Sequence, residues 1–190
     1  MKTIKNEVKN EIIIKNSRFI NILIPINSKE IEKYLNYYKE KYPKATHYCY
    51  AYIYQDIKKC SDDNEPSQTA GMPMLNVLES NNLKNILTIT IRYFGGIKLG
   101  AGGLVRAYTK SVTENLKQAN FIELKEGYLI KIEFPYSKEK DIKYFLKEKN
   151  IIEKNYQENI TFIATISKDK IKEFIYPYII IKEILIEKDS

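Results

Sequence analysis

The side chains best equipped for ionic chemistry fall in two stretches, SDDNEPSQTAGMP (61–73) and RYFGGIKLGAGGLVRAY (92–108). In the first, Asp62, Asp63 and Glu65 are oxygen ligands of the kind that hold Mg²⁺, although their spacing is not that of a calcium loop. The same carboxylates are suited to capping turns or to pairing with Arg92 or Arg106. The second stretch holds five of the chain's seven glycines (Gly95, Gly96, Gly100, Gly102 and Gly103) and two of its three arginines. A strand, a glycine-rich loop and a helix in succession are the layout of many anion sites, because glycine lets backbone amides approach a ligand and a helix start favours negative charge. Lys98 stands inside the loop. Neither nucleotide fingerprint is met, however. Ala101 and Gly102 occupy the places where a Walker loop needs Lys and Ser or Thr, and Val105 stands where GxGxxG needs its last glycine. The alternative is purely structural, with glycines supplying turns of positive φ and close packing of the helix. His47 has the chemistry of a general base but no identifiable Ser or Cys nucleophile, so a structural role is expected and no residue is assigned as catalytic.

The elements that must carry these stretches are legible from periodicity. Strands are expected at 8–14, 18–26, 47–54 and 85–94, with a helix at 27–43 that starts on an Asn27/Glu30 capping box and ends at Pro43. A polar loop, 55–70, leads to a short helix beginning near Pro73, and the glycine loop leads to a helix at 102–119. From Tyr128 onward the order strand, helix, strand, strand, helix, strand indicates a ferredoxin-like unit, its second helix at KDKIKEFIY (168–176). The fold class is α+β, with domains at 1–124 and 125–190. Alternation sets Tyr48, Tyr50, Tyr52 and Tyr54 against Cys49, Ala51 and Ile53, and Thr88, Thr90 and Arg92 against Leu87, Ile89 and Ile91. The expectation is a two-layer first domain whose sheet leaves one face wholly or partly open. Tyr48, Tyr50 and Tyr52 there are candidates for stacking on bases, and the alternative is a packed tyrosine layer.

Composition narrows the classes of function. The chain is 44% hydrophobic and 29% charged, as in soluble globular proteins. Its polar N-terminus is not that of a signal peptide, and no apolar run suffices for a membrane span. Cys49 and Cys60 form neither a CxxC pair nor a disulfide framework, which points to a reducing cytoplasm. With a single histidine, a structural zinc site is not expected. The net charge is +7. Residues 128–190 carry 12 Lys/Arg against 11 Asp/Glu, so residues 1–127 hold 19 against 13, a net of +6. Such basicity suits a polyphosphate partner, and compositional drift toward lysine explains it equally.

The stretches NSRFI (16–20), YPKATHYCYAY (42–52), SDDNEPSQTAGMPMLNVL (61–78) and RYFGGIKLGAGGLVRAY together resemble the Impact/YigZ family in its bacterial two-domain form. The resemblance implies an N-terminal two-layer α/β domain like domain IV of elongation factor G and a ferredoxin-like C-terminal domain like that factor's domain V. Eukaryotic members restrain the starvation-kinase pathway of translation control, using an extra N-terminal module not found here. For bacterial members the resemblance implies a non-enzymatic, translation-associated protein that contacts RNA or the ribosome, with protein partners in translation control as a further class and no cofactor. The other reading open at this point is an enzyme or a binder of small phosphorylated ligands, using the glycine loop with Mg²⁺ on the acidic loop. No motif specific for DNA and no membrane partner is expected. This chain departs from the family at Asn64 and Gln68, where glycine is usual, and at Met72, often lysine. Lysine outnumbers arginine 28 to 3, yet Arg18, Arg92 and Arg106 all lie inside the resembling stretches, which suggests a need for a planar, forked donor.

Overall fold

The computed structural model describes residues 1–188 and separates into one unit of Met1–Ile122 and a second that begins at Glu123. In the first unit, β2 (Val8–Ile14), β3 (Ser17–Pro25), β4 (His47–Tyr54), β5 (Ile57–Ser61) and β6 (Ile86–Tyr93) form an antiparallel sheet in the order β2-β3-β6-β4-β5. A short β1 (Lys2–Ile4) precedes it and delivers Ile4 to the core. The β2–β3 hairpin turns on Lys15 and Asn16, both at positive φ (44° and 60°), the conformation of a tight two-residue hairpin. The region expected as a loop at 55–70 contains β5, which closes the sheet edge through a second hairpin with Gln55 at φ 53°.

Both faces of this sheet are covered. Helix α1 (Glu32–Lys41) lays Leu35 and Tyr38 over Ile20, Ile22, Tyr52, Leu87, Ile89 and Ile91. Helices α2 (Gly71–Ser80) and α3 (Ala101–Leu116) cover the opposite face, packing Met74, Leu78, Leu104, Tyr108 and Val112 on Phe19, Leu23, Cys49, Ala51 and Ile53. No face is wholly open, and the α1 face is open only in part, with Tyr48, Tyr50 and Tyr54 half-buried on it. Register explains why: Cys49 pairs with Thr90 and Ala51 with Thr88, whereas Tyr50 pairs with Ile89 and Tyr52 with Leu87. The tyrosines share the isoleucine face under α1, and the threonines with Arg92 lie under α2 and α3. Nor does the Asn27/Glu30 capping box form. The helix begins later, Ile31 is its N-cap without a side-chain bond, and the Glu30 amide donates to Ser28 Oγ at 3.2 Å.

The second unit contains β7 (Phe121–Phe134, entering from the first unit), α4 (Glu139–Leu146), β8 (Ile151–Tyr156), β9 (Ile160–Ser167) and β10 (Ile179–Glu187). Its strands run antiparallel in the order β10-β7-β9-β8, the ferredoxin-like arrangement. The second helix expected at 168–176 is reduced to a 3-10 turn, Lys170–Glu173. Pro177 disfavours helical backbone at the residue before it, and Phe174 instead inserts among Phe145, Tyr176 and Tyr178 at ring separations of 5.3–5.9 Å. No helix among the described residues is long and apolar enough to cross a membrane.

Candidate functional site

The acidic loop and the glycine loop meet in the first unit through Arg92. This guanidinium lies under α2 and α3, 5% exposed, and its Nη1 donates to Glu65 Oε1 at 2.5 Å. Glu65 Oε1 also accepts the Tyr108 hydroxyl at 2.8 Å and has His47 Nε2 at 3.8 Å. The network continues outward. Cys49 Sγ lies 3.3 Å from the Tyr108 hydroxyl and donates to the Asp62 carbonyl, while His47 Nδ1 is 2.7 Å from the Asp63 carbonyl. Burial pushes both the Cys49 thiol and the Tyr108 hydroxyl well above their ordinary pKa ranges, so both stay neutral. Ser17 Oγ bridges Arg92 Nη2 (3.4 Å) and the Gly95 amide (3.2 Å), tying the interior to the start of the glycine loop.

The other two acidic residues are also engaged. Asp62 accepts from three backbone amides, Gln68 (2.8 Å), Ala70 (2.9 Å) and Gly71 (2.8 Å), and so caps the α2 N-terminus from a distance in sequence. Asp63 Oδ2 accepts the Tyr48 amide at 2.6 Å. Asp63, Asn64 and Gln68 all adopt positive φ (42°, 67° and 62°), so two of the three left-handed positions are those where the family resemblance leads one to expect glycine. No three His, Cys, Asp or Glu side chains cluster as metal ligands among the described residues.

The glycine loop divides into two parts. Gly95 is packed so closely that a Cβ there would fall 2.0 Å from the Asn16 carbonyl carbon, and a Cβ on Gly103 would lie 3.0 Å from Leu99 Cβ. Gly96 (φ 82°) and Gly100 (φ 69°) supply the left-handed turns and face open space. Gly100 is the N-cap of α3, and having no side chain it leaves the first amides of that helix, on Ala101, Gly102 and Gly103, without a protein acceptor among the described residues. Arg106, one turn further on, folds back so that its Nη1 lies 3.6 Å from the position a Gly102 Cβ would take. Arg106 and Lys98 are exposed and make no ion pair or hydrogen bond among the described residues. Phe94 and Ile97, 47% and 46% exposed, stand on the same loop.

The residues singled out from sequence thus separate into distinct environments. Lys98, Gly96, Gly100, Gly102 and Arg106 gather at the open start of α3, whereas Arg92, Gly95, Glu65 and Tyr52 are interior or tightly packed. Arg18 is exposed and clasps Glu11 through two bonds of 2.7 and 2.8 Å, which hold the Glu11 carboxyl below its usual range. Tyr48 is half-buried with its hydroxyl on the Tyr42 carbonyl at 2.6 Å, Tyr50 is half-buried, and Tyr52 presents no ring face to solvent.

A network absent from the sequence reading lies beneath the site. Asn21 Nδ2 donates to Thr88 Oγ1 and Thr90 Oγ1, both at 2.8 Å, and Asn115 Nδ2 donates to Asn21 Oδ1 at 2.8 Å and to the Val8 carbonyl at 3.1 Å. Ser111 Oγ is 3.2 Å from Thr90 Oγ1. The signal for it was present: Ser111 and Asn115 continue the helical stripe begun by Leu104 and Tyr108, and a polar residue on an apolar stripe calls for a buried partner.

Comparison with known proteins covers both units. The Impact N-terminal domain family matches residues 15–116. The chain is 38% identical over 178 residues to the IMPACT family member YvyE of Bacillus subtilis, spanning 90% of this chain and 82% of that protein. It is 40% identical over 111 residues to the IMPACT family member YigZ of Escherichia coli, across 55% and 54% of the two chains. A crystal structure of a hypothetical protein, 30% identical, superposes with a TM-score of 0.70 over 90% of this chain and 87% of its own.

Proposed function

This chain belongs to the Impact family, and from that premise we propose that it is a cytoplasmic, translation-associated regulator that binds RNA or the ribosome through its first unit, without catalysing a reaction. The observation that carries the binding part is the open start of α3, where three amides without a protein acceptor among the described residues adjoin the exposed Arg106 guanidinium, with the exposed Lys98 two residues before the Gly100 cap. Amides at a helix start and a forked cation are complementary to phosphate oxygens, and exposed Phe94 and Ile97 add apolar surface beside them. Charge supports the same reading. Residues 1–122 carry 18 Lys/Arg against 11 Asp/Glu and the remainder 13 against 13, so the first unit has the whole net charge of +7. The translation part rests on the family.

Filter binding of structured RNA to the full chain at two salt concentrations tests this. Binding that weakens steeply with salt is expected, and no binding even at low salt would overturn the reading. The alternative of a small phosphorylated ligand shares the α3 amides but loses its second half, because Asp62, Asp63 and Glu65 already hold protein donors. A thermal-shift screen of phosphorylated metabolites with Mg²⁺ separates the two, since a tight small ligand must stabilise the fold.

A further inference from the structure

Strand β10 lies at the edge of its sheet and, among the described residues, pairs with β7 alone. Its sequence is IIIKEILIE, and Ile179, Ile180 and Ile181 are 67%, 47% and 48% exposed. Natural sheets blunt their edges with charge, proline, brevity or cover, because a long apolar edge pairs with other chains. Here the edge runs for nine residues with three charges, Lys182, Glu183 and the terminal Glu187, and the helix expected before it is a four-residue turn. The segment leading into it adds Ile175 at 85% and Tyr178 at 38% exposure. Five exposed large apolar side chains thus follow one another in this strand and its approach, whereas others in the unit, such as Tyr144 and Ile152, stand on separate elements.

The order of residues in that strand points to its occupant. Lys182 and Glu183 sit at the centre, with Ile179, Ile180 and Ile181 on one side and Ile184, Leu185 and Ile186 on the other. A second copy laid antiparallel about that centre sets Lys182 opposite Glu183 twice and every flanking apolar residue opposite another. The β-bulge that leaves Ile181 without a partner lies in the pairing with β7 and leaves the order of apolar and charged residues along the strand unchanged. Glu183 is exposed and, among the described residues, is held only by a 3.4 Å contact with Lys168, a lysine that also contacts Glu126 at 3.0 Å. We propose that β10 is a homodimerisation edge, on which two copies of this chain pair through Lys182 and Glu183 about a two-fold axis. A single paired strand buries less than the roughly 1,200 Å² of a stable interface. The dimer is accordingly concentration-dependent and exchanges with monomer.

Sedimentation velocity of the full chain over a concentration series tests this, with circular dichroism to verify folding of each variant. Lys182→Glu and Glu183→Lys each place like charges opposite one another twice, and each is expected to weaken self-association about tenfold or more. Mixing the two variants restores complementary pairs, and so does the double variant K182E/E183K, which should dimerise with the affinity of the parent. A chain that stays monomeric at every concentration overturns the proposal. So does self-association that both single reversals leave unchanged, or a loss of association that neither mixing nor the double reversal repairs.

Discussion

At the scale of single residues, Glu65 decides the local chemistry. Its Oε1 receives Arg92 and Tyr108 in an environment where the two charged side chains are 3% and 6% exposed. A buried ion pair contributes little net stability, yet removing one partner strands the other charge. Glu65→Ala is therefore expected to cost about 3–5 kcal/mol in urea unfolding monitored by far-UV circular dichroism. A cost under about 1 kcal/mol would mean that Arg92 finds another acceptor or reaches water. Gln68 illustrates the opposite sign. It holds φ 62°, a conformation that glycine adopts freely and other L-residues adopt at a cost of roughly 1 kcal/mol. Its backbone amide, which donates to Asp62, survives substitution. Gln68→Gly should raise the urea midpoint or leave it unchanged, because relief of strain opposes the entropy glycine adds to the unfolded chain. A clear fall would show that the side chain contributes a contact of its own.

At the scale of elements, the acidic loop acts as a cap in trans. Helix α2 has Ala70 at its N-cap, which offers no side-chain acceptor, and Asp62 supplies one from eight and nine positions back, to the Ala70 and Gly71 amides. Asp62→Ala should destabilise the fold by about 1–3 kcal/mol with an unchanged urea m-value, the expected effect of unpairing amides near a helix start. Helix α3 contrasts with it. Its cap, Gly100, carries no side chain and no carboxylate among the described residues reaches over, so its amides stay available. The two helices start within one unit and are treated oppositely, which is the physical basis for proposing α3 rather than α2 as the phosphate contact. The glycines divide in the same way: Gly95 and Gly103 permit close packing, and Gly96 and Gly100 set the direction of the loop.

At the scale of the whole molecule, charge is separated between units, with the net +7 on residues 1–122 and zero beyond. If phosphate contacts run through the start of α3, Lys98→Glu combined with Arg106→Glu should lower RNA affinity uniformly across sequences. It should also reduce the slope of log K against log salt by about 2 in magnitude, close to one for each lost phosphate contact. Equal affinity and slope in parent and variant would move the contact to another basic face of the unit. Arg18 is a poor candidate for that face, being already clasped by Glu11.

The amino-acid sequence by itself determined the order of the longer elements, though not β1, β5 or the 3-10 turn at 170–173, together with the alternation along each strand, the glycine positions and the family, because these depend on local periodicity and on motifs read in line. Strands β2, β3, β4 and β6 fall within a residue or two of their expected limits. What only the tertiary structure decided was which polar groups face each other. The sequence left Arg92 with either a phosphate outside or a carboxylate within, and the fold places Glu65, 27 positions away, against it. Thr88 and Thr90 look like an open polar face in alternation, yet they are buried and satisfied through Asn21, itself bonded to Asn115 at a separation of 94 residues. Period-two patterning tells which side chains share a face and not what covers that face, so a polar face closed by a polar network is indistinguishable in sequence from one left to water.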